Sequence, residues 1–176
     1  MPPETQTGAN TFGCLVNGQV FMPKGPSLSP ILSSYYEYIY PPGASGFVFQ
    51  ISANRNGDNC ELKSISIVID STKIFQGMTF TLKEIAKGNA TARYAYYPSC
   101  TVSQIYYYTT NIVKGELFFK KFDETNHIAS GTFWFDAINT NNDTVKITDG
   151  RFDLHFTNLK VSCKKLFEKT RPRISL

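Results

Sequence analysis

The sequence predicts an all-β fold, an antiparallel β-sandwich of about ten short strands. Aromatic residues make up 14% of the chain, and their side chains favour the pleated, half-buried surface of a sheet. Short apolar runs alternate with turns rich in Asn, Asp and Gly along most of the chain. A closed, calycin-like β-barrel is the alternative, because short strands at regular spacing suit both architectures.

The first predicted element is a hairpin in "TFGCLVNGQVFMP", residues 11–23. Asn17-Gly18 separates two apolar runs, which is the strongest local signal for a two-residue type I′ turn. Alternation along the first strand places three apolar side chains on one face, namely Phe12, Cys14 and Val16.

The middle of the chain predicts several more strands. Residues 35–43, "YYEYIYPPG", indicate an edge strand, because Pro41 and Pro42 cannot donate to a ladder of hydrogen bonds. Residues 80–88, "FTLKEIAKG", are the best helical candidate and predict at most a short helix. Other strands are expected in a pair around an Asn-rich turn within 46–69, at 79–82, after residue 88, and in a pair at 103–110 and 111–123.

Residues 131–156, "GTFWFDAINTNNDTVKITDGRFDLHF", predict two long strands around the turn 139–143. The apolar positions of the second strand change parity part-way, as shown by Val145, Ile147, Phe152, Leu154 and Phe156. One extra residue keeps all of them on one side, so we predict a G1 bulge with Gly150 in the left-handed conformation. Asp136 and Asp153 alternate with core positions and are expected to face solvent.

The net charge of +4 is concentrated at the C-terminal end. Residues 160–176 hold six basic residues and one acidic residue, although charged residues make up only 18% of the chain. We divide the chain into a polar lead-in tether at 1–10, a single β domain at 11–159 and a basic tail at 160–176. No nucleic-acid partner is expected, because such domains carry Lys and Arg along one face. The tail is interpreted as a solvated terminus, with contact to anionic lipid or nucleic acid as the alternative.

Four cysteines are spread widely along the chain: Cys14, Cys60, Cys100 and Cys163. No two of them have the C-x-x-C spacing of a zinc or redox site, so no metal is expected. An even number suits two disulfides in an oxidising compartment, with three possible connectivities. Buried free thiols are the alternative, because an unpaired cysteine packs as a small apolar residue.

No group of residues predicts catalysis, so we expect neither enzyme activity nor a cofactor. His127 and His155 lack the spacing of metal ligands. The sequence has neither the G-x-S-x-G elbow of hydrolases nor a Gly-rich phosphate loop. A hydrolase is an alternative through Asp136, Asp149 and Asp153, because paired carboxylates can cleave glycosidic bonds.

Tyrosine clusters predict a binding surface. Consecutive residues of a strand point to opposite faces, so some of these rings reach solvent. Such rings suit stacking on a sugar or a protein, and the residues predicted to bind are Tyr36, Tyr38, Tyr96, Tyr107 and Trp134. The alternatives are cross-strand ladders for the tyrosines and burial for the tryptophan. A lipid or small-ligand carrier with a barrel cavity is a second functional hypothesis.

The motifs "NTFGCLVNGQVFMP" near the start and "ASGTFWFDAIN" with "DTVKITDGRFDLHF" near the end resemble a family of uncharacterised exported lipoproteins from Bacteroidetes. That family is catalogued as a domain of unknown function. The resemblance covers both ends, and the middle, roughly 24–125, agrees only in its rhythm of strands. It implies an all-β fold, export to the outer membrane or cell surface, and a lipid anchor upstream of residue 1. The leading hypothesis is therefore a binding or scaffolding module of the cell envelope, for a glycan or an envelope protein.

Overall fold

The structure, a computed structural model, describes residues 1–26, 30–39 and 46–158. Within these ranges eleven strands join one sheet and no helix forms. A helix with the length and hydrophobicity needed to cross a membrane is accordingly absent from the described ranges. The strands are β1 (Thr11–Val16), β2 (Gln19–Phe21), β3 (Leu32–Ile39), β4 (Gly46–Asn56), β5 (Leu62–Ile69), β6 (Thr79–Leu82), β7 (Ala90–Tyr97), β8 (Ile105–Tyr108), β9 (Gly115–Asp123), β10 (Ile128–Ile138) and β11 (Thr144–His155).

The pairing within this sheet is antiparallel apart from one short parallel contact. The order is β2-β1-β11-β10-β9-β6-β7-β5-β4-β3, and β8 pairs with both β10 and β7. The parallel contact joins Leu82 of β6 to Ala90 of β7. At the end of the order, Tyr35 of β3 forms an isolated bridge with Thr157, two residues beyond β11. The N–H of Thr157 donates to the carbonyl of Ser34 at 3.0 Å. The last strand of the order, β3, is therefore hydrogen-bonded to the segment that follows β11.

The inner face of the sheet encloses one core of aromatic and branched side chains. The ring centroids of Phe49 in β4 and Phe119 in β9 are 5.2 Å apart. Tyr36 in β3 meets Phe122 in β9 edge-on at 5.0 Å. Three strands separate β4 from β9 in the sheet order, so the sheet must curl until distant strands face each other. The predicted all-β class is confirmed, and the single curled sheet is consistent with both a sandwich-like and a barrel-like arrangement.

The hairpin between β1 and β2 has the predicted turn. Asn17 and Gly18 both have positive φ, at 48° and 79°, as a type I′ turn requires. The side chains of Phe12 and Cys14 lie in the core, and the partly buried Val16 packs against it. The prediction that these three side chains share one face of the strand is therefore confirmed.

A bulge interrupts β11 where the sequence predicts one, but a different residue adopts the left-handed conformation. Phe133 pairs with Gly150 and Phe135 pairs with Ile147, so β11 holds one residue more than β10 at this point. Asp149, with φ 54°, is the left-handed residue, and the assignment of that conformation to Gly150 is wrong. Gly150 is instead required by close packing, because a Cβ there would lie 2.5 Å from the carbonyl oxygen of Phe133.

The consequence of this bulge matches the prediction for the buried face. The five apolar residues on either side of it are all in the core: Val145, Ile147, Phe152, Leu154 and Phe156.

Two other predicted elements lie elsewhere in the chain. The strand β3 lies at one end of the sheet order, as expected for an edge strand, while Pro41 and Pro42 lie outside the described residues. Residues 80–88 form no helix, since they hold the end of β6 and a turn in which Gly88 has φ 80°.

The cysteines follow both of the alternatives left open by the sequence. Cys60, after β4, and Cys100, after β7, form a disulfide. Cys14 is a buried free thiol, and burial raises its pKa to about 12. Cys163 and the rest of the basic tail at 160–176 lie outside the described residues.

Candidate functional site

Two of the residues predicted to bind a ligand lie on the inner face of the sheet. Tyr36 is only 1% exposed, and its hydroxyl oxygen accepts a hydrogen bond from the N–H of Ile74 at 3.3 Å. Tyr107 packs against the core, with its ring 5.8 Å from that of Tyr94. Tyr36 is therefore part of the interior, and Tyr107 is partly buried with its ring turned towards the core.

Two further predicted residues lie at the margins of the core. Tyr38 is 40% exposed on the edge strand β3, and its ring packs edge-on against Phe47 at 4.9 Å. Tyr96 is partly buried beneath Lys63, whose Nζ lies 5.5 Å from the ring centroid. These rings lie on different strands, and the structure does not bring them together into one site.

Trp134 has the exposed position that the sequence left as one of two alternatives. Its side chain is 48% exposed on the outer face of β10, between the buried Phe133 and Phe135. It lines a surface depression of about 240 Å³, called the Trp134 depression below. The other lining residues are Glu4, Glu116, Thr132, Phe133, Asp149, Gly150 and Arg151.

Three strands and the lead-in segment position the polar groups of the Trp134 depression. Glu116 of β9 lies directly opposite Trp134, and Arg151 of β11 lies opposite Thr132. Asp149 reaches the depression because the bulge in β11 displaces it from the regular ladder. An exposed indole thus lies beside carboxylates from two strands and a guanidinium from one of them.

The lead-in segment supplies one wall of the same depression. Lys120 donates a hydrogen bond to the carboxylate of Glu4 at 3.0 Å, and this bond and the positive charge of Lys120 hold the pKa of Glu4 below its ordinary value. Arg151 donates to the carbonyl of Pro2 at 3.2 Å. Within the described part of the chain, the carboxylates of Glu116 and Asp149 form no ion pair, so they can accept hydrogen bonds from a ligand.

Asp153 explains how the lead-in segment is held. It is 1% exposed, so the prediction that it faces solvent is wrong. Its carboxylate accepts five hydrogen bonds, from Thr5 Oγ1, from the N–H and Oγ1 of Thr7, and from the N–H groups of Gly8 and Ala9. Burial by itself raises the pKa of Asp153, but these hydrogen bonds outweigh burial and lower the pKa below its ordinary value. The carboxylate is therefore a structural anchor that the chain itself saturates.

A second polar and aromatic surface lies on the outer face of β4, β5, β7 and β8. Arg93 of β7 places its guanidinium carbon 5.3 Å from the ring centroid of Tyr106 in β8. The rings of Tyr106 and Tyr108 are stacked, with centroids 6.0 Å apart and planes at 27°. The pKa of Tyr97 is raised, first by burial and then by its hydrogen bond with Tyr106, while the charge of Arg93 opposes this rise.

Sequence reasoning missed this surface because it selected Tyr107, the inward-facing member of the third tyrosine cluster. The alternation in "ATARYAYY" contains the signal, since buried Ala90, Ala92 and Tyr94 force Arg93 to the outer face. Placing Tyr106 and Tyr108 beside Arg93 also needs the register of β7 with β8, which the sequence does not supply.

Metal-type clusters are absent from the residues that the structure describes. The ring of His127 lies 5.5 Å from that of Phe156, and the ring of His155 packs so closely on Gly8 that an added Cβ would lie 2.5 Å from Nε2. Both histidines therefore have packing contacts in the fold.

Comparison with known families assigns the chain to one of them. A model described as a domain of unknown function, DUF6252, matches residues 48–153. The chain belongs to the DUF6252 family. The match takes in the middle of the chain and most of the final hairpin, and leaves the Asn17-Gly18 hairpin outside it. No curated protein and no solved structure gives a significant match.

The DUF6252 match contains both surfaces described above, apart from Glu4 of the Trp134 depression. The family description names no activity, so function must be argued from these surfaces.

Proposed function

We propose that this DUF6252 protein is a non-enzymatic binding module of the cell envelope that holds a glycan in the Trp134 depression. The observation that carries the proposal is the 48% exposure of Trp134 beside hydrogen-bonding groups from β9, β10 and β11. An indole face stacks on the apolar face of a sugar ring, which gives affinity at little entropic cost. The carboxylates of Glu116 and Asp149 and the guanidinium of Arg151 suit the hydroxyl groups around such a ring.

A glycan fits this depression better than a protein partner does. A stable protein interface buries about 800 Å² on each side and centres on several aromatic or Arg anchors. The Trp134 depression offers one exposed aromatic ring and a volume of about 240 Å³, which suits one or a few sugar units. An envelope protein is the second candidate partner.

Export to an oxidising compartment, with a lipid anchor at the outer membrane or cell surface, is the second half of this proposal. Disulfides persist in such compartments and are rare in the cytosol, and the Cys60–Cys100 disulfide supports export on this ground. The resemblance to exported lipoproteins supports the anchor.

The disulfide gives a direct test of the compartment. When cells are lysed in the presence of an alkylating reagent, we expect Cys60 and Cys100 to remain unalkylated until the protein is reduced and unfolded. Peptide mass spectrometry measures the modification at each cysteine, with a sample reduced before alkylation as the control. Alkylation of both residues without reduction would contradict export to an oxidising compartment.

Glycan binding is tested by an array of glycans, followed by titration calorimetry with each ligand that binds. The variant Trp134→Ala is expected to weaken binding about tenfold, because it removes the stacking surface. Phe75→Ala is the matched control, since it removes another exposed aromatic ring outside the depression. If Trp134→Ala and the wild type bind the glycan with equal affinity, the glycan does not bind in the Trp134 depression. An array without binding, together with uptake of a fluorescent fatty acid, would favour the carrier hypothesis instead.

A further inference from the structure

The outer face of the curled sheet carries a second row of residues with the chemistry of a binding site. Cross-strand pairing aligns Ser52, Ser66, Arg93 and Tyr108 across β4, β5, β7 and β8. The next outward row holds Asn54, Ser64, Ala95 and Tyr106 on the same four strands. Small side chains thus form a floor, and two tyrosine rings form a wall along one side of it.

Two surface depressions of about 210 and 270 Å³ lie on this floor, and both are lined by Arg93. Tyr108 lines one of them and Tyr106 the other, and we call the two depressions together the Arg93 groove. Arg93 is the one charged residue among the residues that line these two depressions. It makes no ion pair with the described part of the chain, and the ring of Tyr106 holds its guanidinium in place. A fixed, unpaired guanidinium among neutral groups is complementary to a carboxylate on a ligand.

The backbone around the groove favours a saccharide over a peptide. A peptide that adds to a sheet needs a strand with unpaired N–H and C=O groups. The strands below Arg93 are interior, because β5 lies between β4 and β7, and β7 lies between β5 and β8. Recognition must therefore use side chains, and the hydroxyl of the partly exposed Ser64 suits the hydroxyl groups of a sugar.

From these observations we propose that the Arg93 groove is a second ligand site, which binds an acidic saccharide by pairing Arg93 with a sugar carboxylate and packing the sugar against Tyr106 and Tyr108. The Trp134 depression shares no lining residue with this groove. The two sites are therefore independent, and this inference does not require the Trp134 site to bind.

Titration calorimetry with short oligomers of galacturonate, alginate and hyaluronate tests the groove, because these probes share a carboxylate on a sugar ring. The wild type is expected to bind at least one of them, and the methyl ester of that probe to bind about tenfold more weakly. Arg93→Gln is expected to bind the free acid more weakly by a similar factor and to bind the acid and its methyl ester equally well. Lys146→Gln, which removes an equal charge from the exposed face of β11, should bind like the wild type.

Two further variants separate the possible failures. Tyr106→Ala changes an exposed ring, so it tests the groove even if Arg93→Gln unfolds. Trp134→Ala should bind the acidic oligomer as tightly as the wild type does. Loss of binding in this variant would place the ligand in the Trp134 depression and overturn the inference. The inference also fails if none of the three probes binds, if the ester binds as well as the acid, or if a short poly-glutamate binds as well as the saccharide.

Discussion

Replacing Asp153 by asparagine is expected to destabilise the fold by about 3 kcal/mol, the range for hydrogen bonds to a charged group. The substitution keeps the size of the side chain but removes its charge. It also turns one acceptor oxygen into an N–H donor that faces the donors of Thr5, Thr7, Gly8 and Ala9. The loss is limited because residues 5–9 can detach and bind water instead.

Two measurements separate this local release from a general loss of stability. Denaturant unfolding gives the change in free energy, and hydrogen exchange at the amides of Thr7, Gly8 and Ala9 reports release of the segment. Asp136→Asn is the matched control, since Asp136 is a carboxylate on the neighbouring strand that accepts none of these bonds. A fall in stability without faster exchange at these amides would contradict the anchoring role.

The contribution of Asp153 should depend on pH in a defined direction. Its pKa is lowered in the folded protein, so the folded state favours the ionised carboxylate. The stabilisation is fully present above the ordinary pKa range of aspartate, about 4, and is lost as the pH falls through the lower folded-state value. The difference in unfolding free energy between wild type and Asp153→Asn should therefore be constant at neutral pH and shrink below about pH 4. A difference that grows on acidification would contradict this assignment.

The anchor at Asp153 also connects the lead-in segment to the Trp134 depression. Residues 5–9 are held at Asp153, and this docking brings Glu4 to Lys120 and the carbonyl of Pro2 to Arg151. Release of the segment would remove one wall of the depression without changing the strand that carries Trp134. The segment predicted as a tether therefore contributes to the proposed glycan site.

The parts of this fold that the sequence predicts are those with local causes. The Asn17-Gly18 turn depends on two adjacent residues, and the bulge near Gly150 follows from a change of parity within one strand. Assigning the left-handed residue to Gly150 was wrong because close packing against Phe133, rather than backbone freedom, requires glycine there. Asp149 adopts the left-handed conformation instead, which costs aspartate less energy than it costs most other residues.

The candidate sites depend on partners that are far apart in the sequence. Alternation in β11 places the side chain of Asp153 on the other face of the strand from the core residues Phe152 and Leu154. The lead-in segment, about 145 residues away in the sequence, buries this side chain when it docks there. Consecutive tyrosines in β8 must alternate, yet the strand pattern does not say which of them faces inward. Trp134 is exposed because its neighbours Phe133 and Phe135 face the core, and the same alternation would also suit a strand buried on both faces.

Gly131→Ala is expected to cause a larger loss of stability than the same substitution at the loop glycine Gly77. Gly131 is buried in β10, and an added Cβ would overlap the carbonyl oxygen of Phe118 in β9 and lie 3.0 Å from Cζ of Phe152. The oxygen belongs to the backbone of the paired strand, so relief requires β9 and β10 to separate. We expect a loss of about 3 kcal/mol or more, which corresponds to a fall in Tm of about 10 °C for a chain of this size.

Gly77→Ala distinguishes this steric effect from the ordinary cost of removing a glycine. No atom lies within 4 Å of an added Cβ at Gly77, and its φ of 84° leaves only a backbone cost of about 1 kcal/mol. Thermal unfolding followed by circular dichroism compares the two variants under one condition. If they lose equal stability, β9 and β10 do not approach as closely at Gly131 as described. A much larger loss for Gly131→Ala supports the close pairing of the two strands that carry Glu116 and Trp134.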